Sequence, residues 1–101
     1  MKLIELNIQR IFELCKKYKV KTLYVFGSIL TPRFNENSDV DFLVNFKKEE
    51  IPLLDFADNF FDFQFALEDM LQRKVDLVCD DAIKNSYFRK EVDRTKHLIY
   101  E

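Results

Sequence analysis

The run Val25-Phe26-Gly27-Ser28, ten turn-rich residues, then Asp39-Val40-Asp41-Phe42-Leu43-Val44 constrains the fold of this chain more than any other feature. It reads as an apolar strand, a Gly-Ser turn, and a second apolar strand that begins with two carboxylates. So short a connection joins antiparallel neighbours, which sets Ser28 beside Asp39 and Asp41. Residues two apart in a strand share a face, so these two anions project side by side. Their repulsion is relieved if a cation sits between them, and carboxylate oxygens suit a hard ion such as Mg²⁺. Gly27 lets the backbone approach a ligand, and Ser28 offers a hydroxyl and a main-chain N–H to a phosphate. A phosphate cradle facing a metal-binding carboxylate pair is the equipment of phosphoryl or nucleotidyl transfer.

Each of these residues also has a plainer reading. Asp39 and Asp41 can cap a turn at a strand start and face water, although that explains poorly why Asp41 interrupts an apolar strand. Gly27, the only glycine, can simply end a strand. His97 has no nucleophile or second histidine near it in sequence, and reads as an ordinary residue on a terminal helix. The alternating charges of Arg89–Lys96 read as a solvated helix face.

Helical spacing of Ile4, Ile8, Ile11, Phe12 and Cys15 predicts an amphipathic helix over Leu6–Tyr18, with Lys16, Lys17 and Lys19 near its C-terminal end. Strands are expected at Val20–Phe26, Asp39–Phe46 and Lys74–Cys79. Residues 27–38 suit a short helical turn and a loop. A long helix is expected from Pro52 to about Gln72, and Ser86 is placed to N-cap a last helix. The order is α-β-α-β-α-β-α, an α/β (α+β) fold with a small mixed sheet of three strands or slightly more. A long crossover helix makes the second and third strands parallel, which brings Asp76 to the same edge as Asp39 and Asp41. Asp76 can equally point to solvent from an alternating edge strand. At roughly 100° per residue, Leu53, Phe56, Phe60, Phe63, Leu67 and Leu71 form the stripe of the long helix expected to pack on the sheet. Leu54, Phe61 and Phe65 form a second stripe, covered either by a terminal helix or by a partner.

With 101 residues, residues 1–101 are expected to form a single domain. A net charge of −2 lacks the basic face that nucleic acid demands, so direct nucleic-acid binding is not expected. No apolar run reaches membrane-spanning length, and the cytoplasm is the expected location. Cys15 and Cys79 are too few for a disulfide framework and read as reduced, inert thiols.

The G-S-x₁₀-D-x-D pattern between apolar strands resembles the nucleotidyltransferase superfamily that includes DNA polymerase β. The remainder, through Lys74-Val75-Asp76-Leu77-Val78 and the tail from Asn85 to Thr95, resembles its minimal nucleotidyltransferase (MNT) branch. The resemblance implies in-line attack of an acceptor hydroxyl on the α-phosphorus of a nucleoside triphosphate, with ATP as donor and two Mg²⁺ ions. It implies that Asp39 and Asp41 bridge those ions, and that Asp76 ligates the acceptor-side metal and helps deprotonate the hydroxyl. Gly27 and Ser28 would hold the β- and γ-phosphates. Many members carry an arginine directly after Gly-Ser. Here that position is Ile29, and the nearest cation is Arg33.

A core of this size has no second domain to grip an acceptor, so the acceptor must bring its own surface. Many MNT proteins are antitoxins paired with a small helical HEPN ribonuclease toxin, and some attach AMP to a toxin tyrosine. The implied function is therefore AMP transfer to a HEPN toxin. The alternatives are a binding-only antitoxin and a small-molecule nucleotidyltransferase. A second copy of this chain is a further possible partner. Arg94, His97 and Tyr100 have the wrong spacing for the toxin's own signature.

Overall fold

The structure, a computed structural model, describes residues 1–101. The first helical region is two helices, α1 (Lys2–Leu6) and α2 (Ile8–Lys17). They break at Asn7, whose side chain donates to the Leu3 carbonyl at 2.9 Å and so competes with the helix ladder. Ile4, Ile11 and Cys15 still share one buried face. Lys19 takes a left-handed conformation (φ 61°) and turns the chain into β1 (Val20–Phe26).

β1 pairs antiparallel with β2 (Val40–Phe46), with Val25 opposite Phe42 and Phe26 opposite Asp41. Asp39 therefore lies one residue before the strand. The long helix α3 (Phe56–Leu71) begins later than expected. Pro52 is extended (ψ 140°), and Leu53–Asp55 form a separate 3₁₀ turn. β3 (Val75–Cys79) then pairs parallel to β2, with Asp76 opposite Asp41. α4 spans Ser86–Thr95, but its cap is Asn85, whose side-chain oxygen accepts from the Phe88 N–H at 2.9 Å; Ser86 is the first helical residue.

The chain finishes in a strand, β4 (His97–Tyr100), antiparallel to β1. His97 thus sits exposed on an edge strand and not on a terminal helix. The sheet has four strands in the order β3-β2-β1-β4, a mixed α+β arrangement at the upper end of the expected size. The other edge is blunted by side chains of α3: Gln64 donates to the Val75 carbonyl at 2.9 Å, and Glu68 accepts from the Val75 N–H at 3.0 Å.

β2 is an interior strand with one wholly apolar face and a second on which Asp41 and Asn45 flank Leu43. On one face Val40, Phe42, Val44 and Phe46 join the main core with Ile11, Phe63 and Leu67. Phe46 is ringed there by Phe56, Phe60 and Phe63 at centroid distances of 5.5, 6.3 and 6.0 Å. On the other face Leu43 packs with Phe26 and Val92 of α4. Asp41 alternates with Val40 and Phe42, so it opens on the α4 side. No helix is long and apolar enough to cross a membrane.

Candidate active site

β1 ends extended at Phe26, and Gly27 then turns at φ 77° into a 3₁₀ turn over Gly27–Leu30. L-residues with a side chain rarely adopt that φ. A Cβ on Gly27 would also overlap Asp41 Oδ2 and lie 3.3 Å from Asp41 Cγ. Glycine is therefore required here because the carboxyl of the neighbouring strand packs against the turn. Neither a plain strand end nor ligand approach alone captures this.

The turn is locked by Thr31, whose N–H and hydroxyl donate to the Ser28 carbonyl at 2.9 and 2.8 Å. Ile29, which occupies the position directly after Gly-Ser, is buried in the main core. Arg33 lies farther along, exposed on the rim of a cavity of about 830 Å³. That cavity is walled by Gly27, Ser28 and Thr31 on one side and by Phe88, Glu91 and Arg94 of α4 on the other, with Asp41 among the lining residues. Its size suits a small organic ligand.

The parallel register of β2 and β3 sets Asp76 directly beside Asp41. Burial first, then the neighbouring Asp76 carboxyl and, least, the Asp39 charge push Asp41 up to about 6. Burial and the neighbouring carboxylate both disfavour the charged form of Asp41. The tight pair is thus Asp41 with Asp76; Asp39, half-buried just outside the strand, contributes more weakly. As they stand, no three His, Cys, Asp or Glu side chains are gathered around a common ion position. The donor chemistry nevertheless fits a hard divalent ion: carboxylate oxygens of Asp41 and Asp76 on adjacent strands, beside a polar turn.

The loop that delivers Asp39 is held by residues outside the motif. Arg73 donates to the carbonyls of Asn35 (3.1 Å) and Ser38 (2.9 Å), and its guanidinium lies 4.8 Å from the Phe34 ring centre. Asn35 Oδ1 accepts from the Asn37 N–H, and Ser38 Oγ from the Asn35 N–H. On the far wall, Arg89 anchors α4 by bonding the Asp80 carboxylate at 2.7 Å and the Asp80 carbonyl. Arg94 pairs with Glu91 at 2.5 Å on the cavity rim. Motif spacing does not reveal Arg73, Arg89, Glu91 or Arg94, because each acts through a contact between elements far apart in sequence or inside a charge run.

Residues 9–101 match the family model described as "Polymerase beta, Nucleotidyltransferase". A relative from Methanocaldococcus jannaschii, named "Putative protein adenylyltransferase MJ0128", is 44% identical over 85 residues, covering 84% of this chain and 80% of its own. A solved toxin–antitoxin structure with AMP-PNP superposes with a TM-score of 0.70 at 21% identity, covering 93% of this chain and 73% of that one. A tri-AMPylated Shewanella oneidensis HEPN toxin in complex with MNT antitoxin gives a TM-score of 0.64 at 19% identity, covering 95% and 71%. These two structural likenesses are likenesses of fold. The family match covers the Gly-Ser turn, all three candidate carboxylates and the cavity wall on α4, and this chain belongs to the polymerase beta nucleotidyltransferase family.

Proposed function

We propose that residues 1–101 act as one minimal nucleotidyltransferase domain that moves AMP from ATP onto a hydroxyl of a partner protein, a HEPN-toxin tyrosine, and so serve as an antitoxin. The observation that carries this reading is Asp41, in register with Asp76 on the next strand, packed against the Gly27–Ser28 turn and lining a cavity of about 830 Å³. The related protein named as an adenylyltransferase and the AMPylated toxin bound to an MNT antitoxin support AMP as the group and a HEPN toxin as the acceptor. The AMP-PNP complex supports a nucleoside triphosphate as donor. A cytoplasmic setting, where ATP is abundant, accords with two unpaired cysteines.

In this reading the Ser28 hydroxyl and the N–H groups of the turn hold the β- and γ-phosphates. Asp39, Asp41 and Asp76 hold Mg²⁺, which when bound supplies neutralisation of the triphosphate and of charge developing at the α-phosphorus. Asp76, exposed on β3, lies on the side open to an acceptor and takes the proton of the incoming hydroxyl. The acceptor oxygen bonds the α-phosphorus while the bond to the bridging oxygen breaks, and pyrophosphate leaves. Arg33 and Arg94 on the rim offer the cationic partners that Ile29 does not.

A binding-only antitoxin is the second reading. It is favoured by Ile29, a buried apolar side chain at the position where many members of the family carry a phosphate-pairing arginine.

The test is to incubate the protein with α-labelled ATP, Mg²⁺ and the product of its neighbouring gene. Label should appear on that partner, and Asp39→Ala and Asp41→Ala should abolish transfer with the fold intact. Asp76→Asn should lower turnover by about 10²–10⁴-fold, with ATP affinity changed far less. Transfer at the parent rate by both alanine variants overturns the assignment.

A further inference from the structure

The outer face of α3 is apolar, acidic and uncovered. Phe61 and Phe65 are 49% and 59% exposed, and Leu54, on the turn leading into the helix, is 93% exposed. The two rings stack at 6.4 Å, and Phe60 meets Phe61 edge-on at 5.2 Å. The second stripe of the helix is thus left open by both terminal helices, and so is Leu53, which was expected to pack on the sheet. Residues 53–72 carry Asp55, Asp58, Asp62, Glu68 and Asp69 and no lysine or arginine. At about 100° per residue, Asp58, Asp62 and Asp69 fall along one flank of the Phe61–Phe65 pair. All three are exposed, and none takes part in any of the chain's ion pairs.

We propose that this face of α3 is the docking surface for a protein partner whose complementary patch has an apolar centre and arginine or lysine side chains beside it. Charge complementarity selects that occupant. A cation laid over Phe61 or Phe65 gains from the ring face, and an aspartate of the flank lies within reach of the same head group. A second copy related by a two-fold axis would instead bring two acidic faces together with no lysine or arginine on either. Aromatic residues are also enriched at protein interfaces, where a few large buried side chains carry most of the binding energy.

The face lies across the sheet from the carboxyl pair, because α3 packs on the side of Val40 and Phe42 while Asp41 opens toward α4. Docking there leaves the nucleotide cavity open. The acceptor hydroxyl then reaches the cavity from a part of the partner beyond the docked patch, so the docking contacts and the transferring groups are separable by mutation. The identity of the partner rests on the function proposed above; the placement and chemistry of the surface do not.

The experiment measures affinity for the toxin and AMP transfer to it in parallel, across a range of salt concentrations. Phe61→Ser/Phe65→Ser should weaken binding on the order of 30-fold or more. Asp58→Lys/Asp62→Lys/Asp69→Lys should weaken it and flatten its salt dependence. In both variants KM for the toxin should rise while kcat at saturating toxin stays within about twofold. Asp41→Asn should do the reverse, keeping binding and losing transfer.

If both face variants keep their melting temperature and bind as the parent does, the docking surface lies elsewhere, and the enzymatic reading stands. Should the serine variant fail to fold, the exposed aspartates decide alone. If the parent and Asp41→Asn bind the toxin equally, the face variants bind it weakly and no AMP is transferred by any of them, the docking surface stands and the enzymatic reading falls. Loss of self-association with toxin affinity unchanged assigns the face to a second copy and overturns the proposal. A parent that neither binds nor modifies the toxin overturns both.

Discussion

Gly27 and Asp41 are adjacent in space only because β1 and β2 pair in a register that sets Phe26 opposite Asp41. The motif made both residues legible, but for separate reasons: one for backbone approach, the other for metal. Their mutual contact was not legible, since it depends on how far the turn swings back over the sheet. Gly27→Ala should therefore do more than strain a left-handed φ, which alone costs about 1–2 kcal/mol. It should also push the Asp41 carboxyl away from the cavity, lowering transfer well beyond what the lost stability explains. A double-mutant cycle with Asp41→Ala checks this by denaturation. Most of the cost above φ strain should disappear when the carboxyl is gone, and fully additive effects would show that the two side chains do not meet. Arg94 is a second residue whose role was hidden, here by the alternating charges around it. Arg94→Ala should raise KM for ATP several-fold at unchanged fold, whereas Lys90→Ala, exposed on the same helix and outside the cavity lining, should leave it unchanged.

Among the elements, the three motif-bearing strands and the last helix were readable because β-branched runs, turn residues and a polar cap each mark them locally. The exceptions have local physical causes. Asn7 splits the first helix by offering its side chain to the Leu3 carbonyl. The turn Leu53–Asp55 delays α3 because Pro52 is extended. β4 escaped because Lys96-His97-Leu98-Ile99-Tyr100 is too short to show a strand period and directly follows a helix. Only the edge of β1 makes it a strand, with Tyr100 seated 5.5 Å from the Phe12 ring. The 31–39 loop reads as featureless, yet Arg73, just before β3, pins it at two carbonyls and one ring. Arg73→Ala should free that loop and misplace Asp39. Hydrogen exchange at residues 35–39 should quicken, and kcat should fall about tenfold or more while the melting temperature moves by only a few degrees. Arg73→Lys should recover less than half of the effect, since lysine lacks the planar fork.

At the scale of the whole molecule, the site and the fold pull against each other. Asp41 sits beside Asp39 and Asp76 at the edge of a sheet that is otherwise apolar around it, and its carboxyl is raised from an ordinary 3.8 to about 6, chiefly by burial and then by Asp76. The folded chain therefore holds a proton that the unfolded chain has already released between those two values. Stability from this group is fully present below pH 4 or so, and is lost as pH rises through about 6. Above that pH the metal-free protein carries crowded charges, and a divalent ion has most to relieve. Three outcomes follow for melting temperature measured against pH. Without metal, the Asp41-dependent part should fall from pH 5 to pH 7. Asp41→Asn should remove that fall and raise the melting temperature at pH 7, the same change that abolishes turnover. Added Mg²⁺ should stabilise the parent at pH 7 more than at pH 5, because below the Asp41 value the ion must displace a proton to bind. A Mg²⁺ effect that is equal at the two pH values, or that persists in Asp41→Asn, would place the ion away from this carboxyl pair.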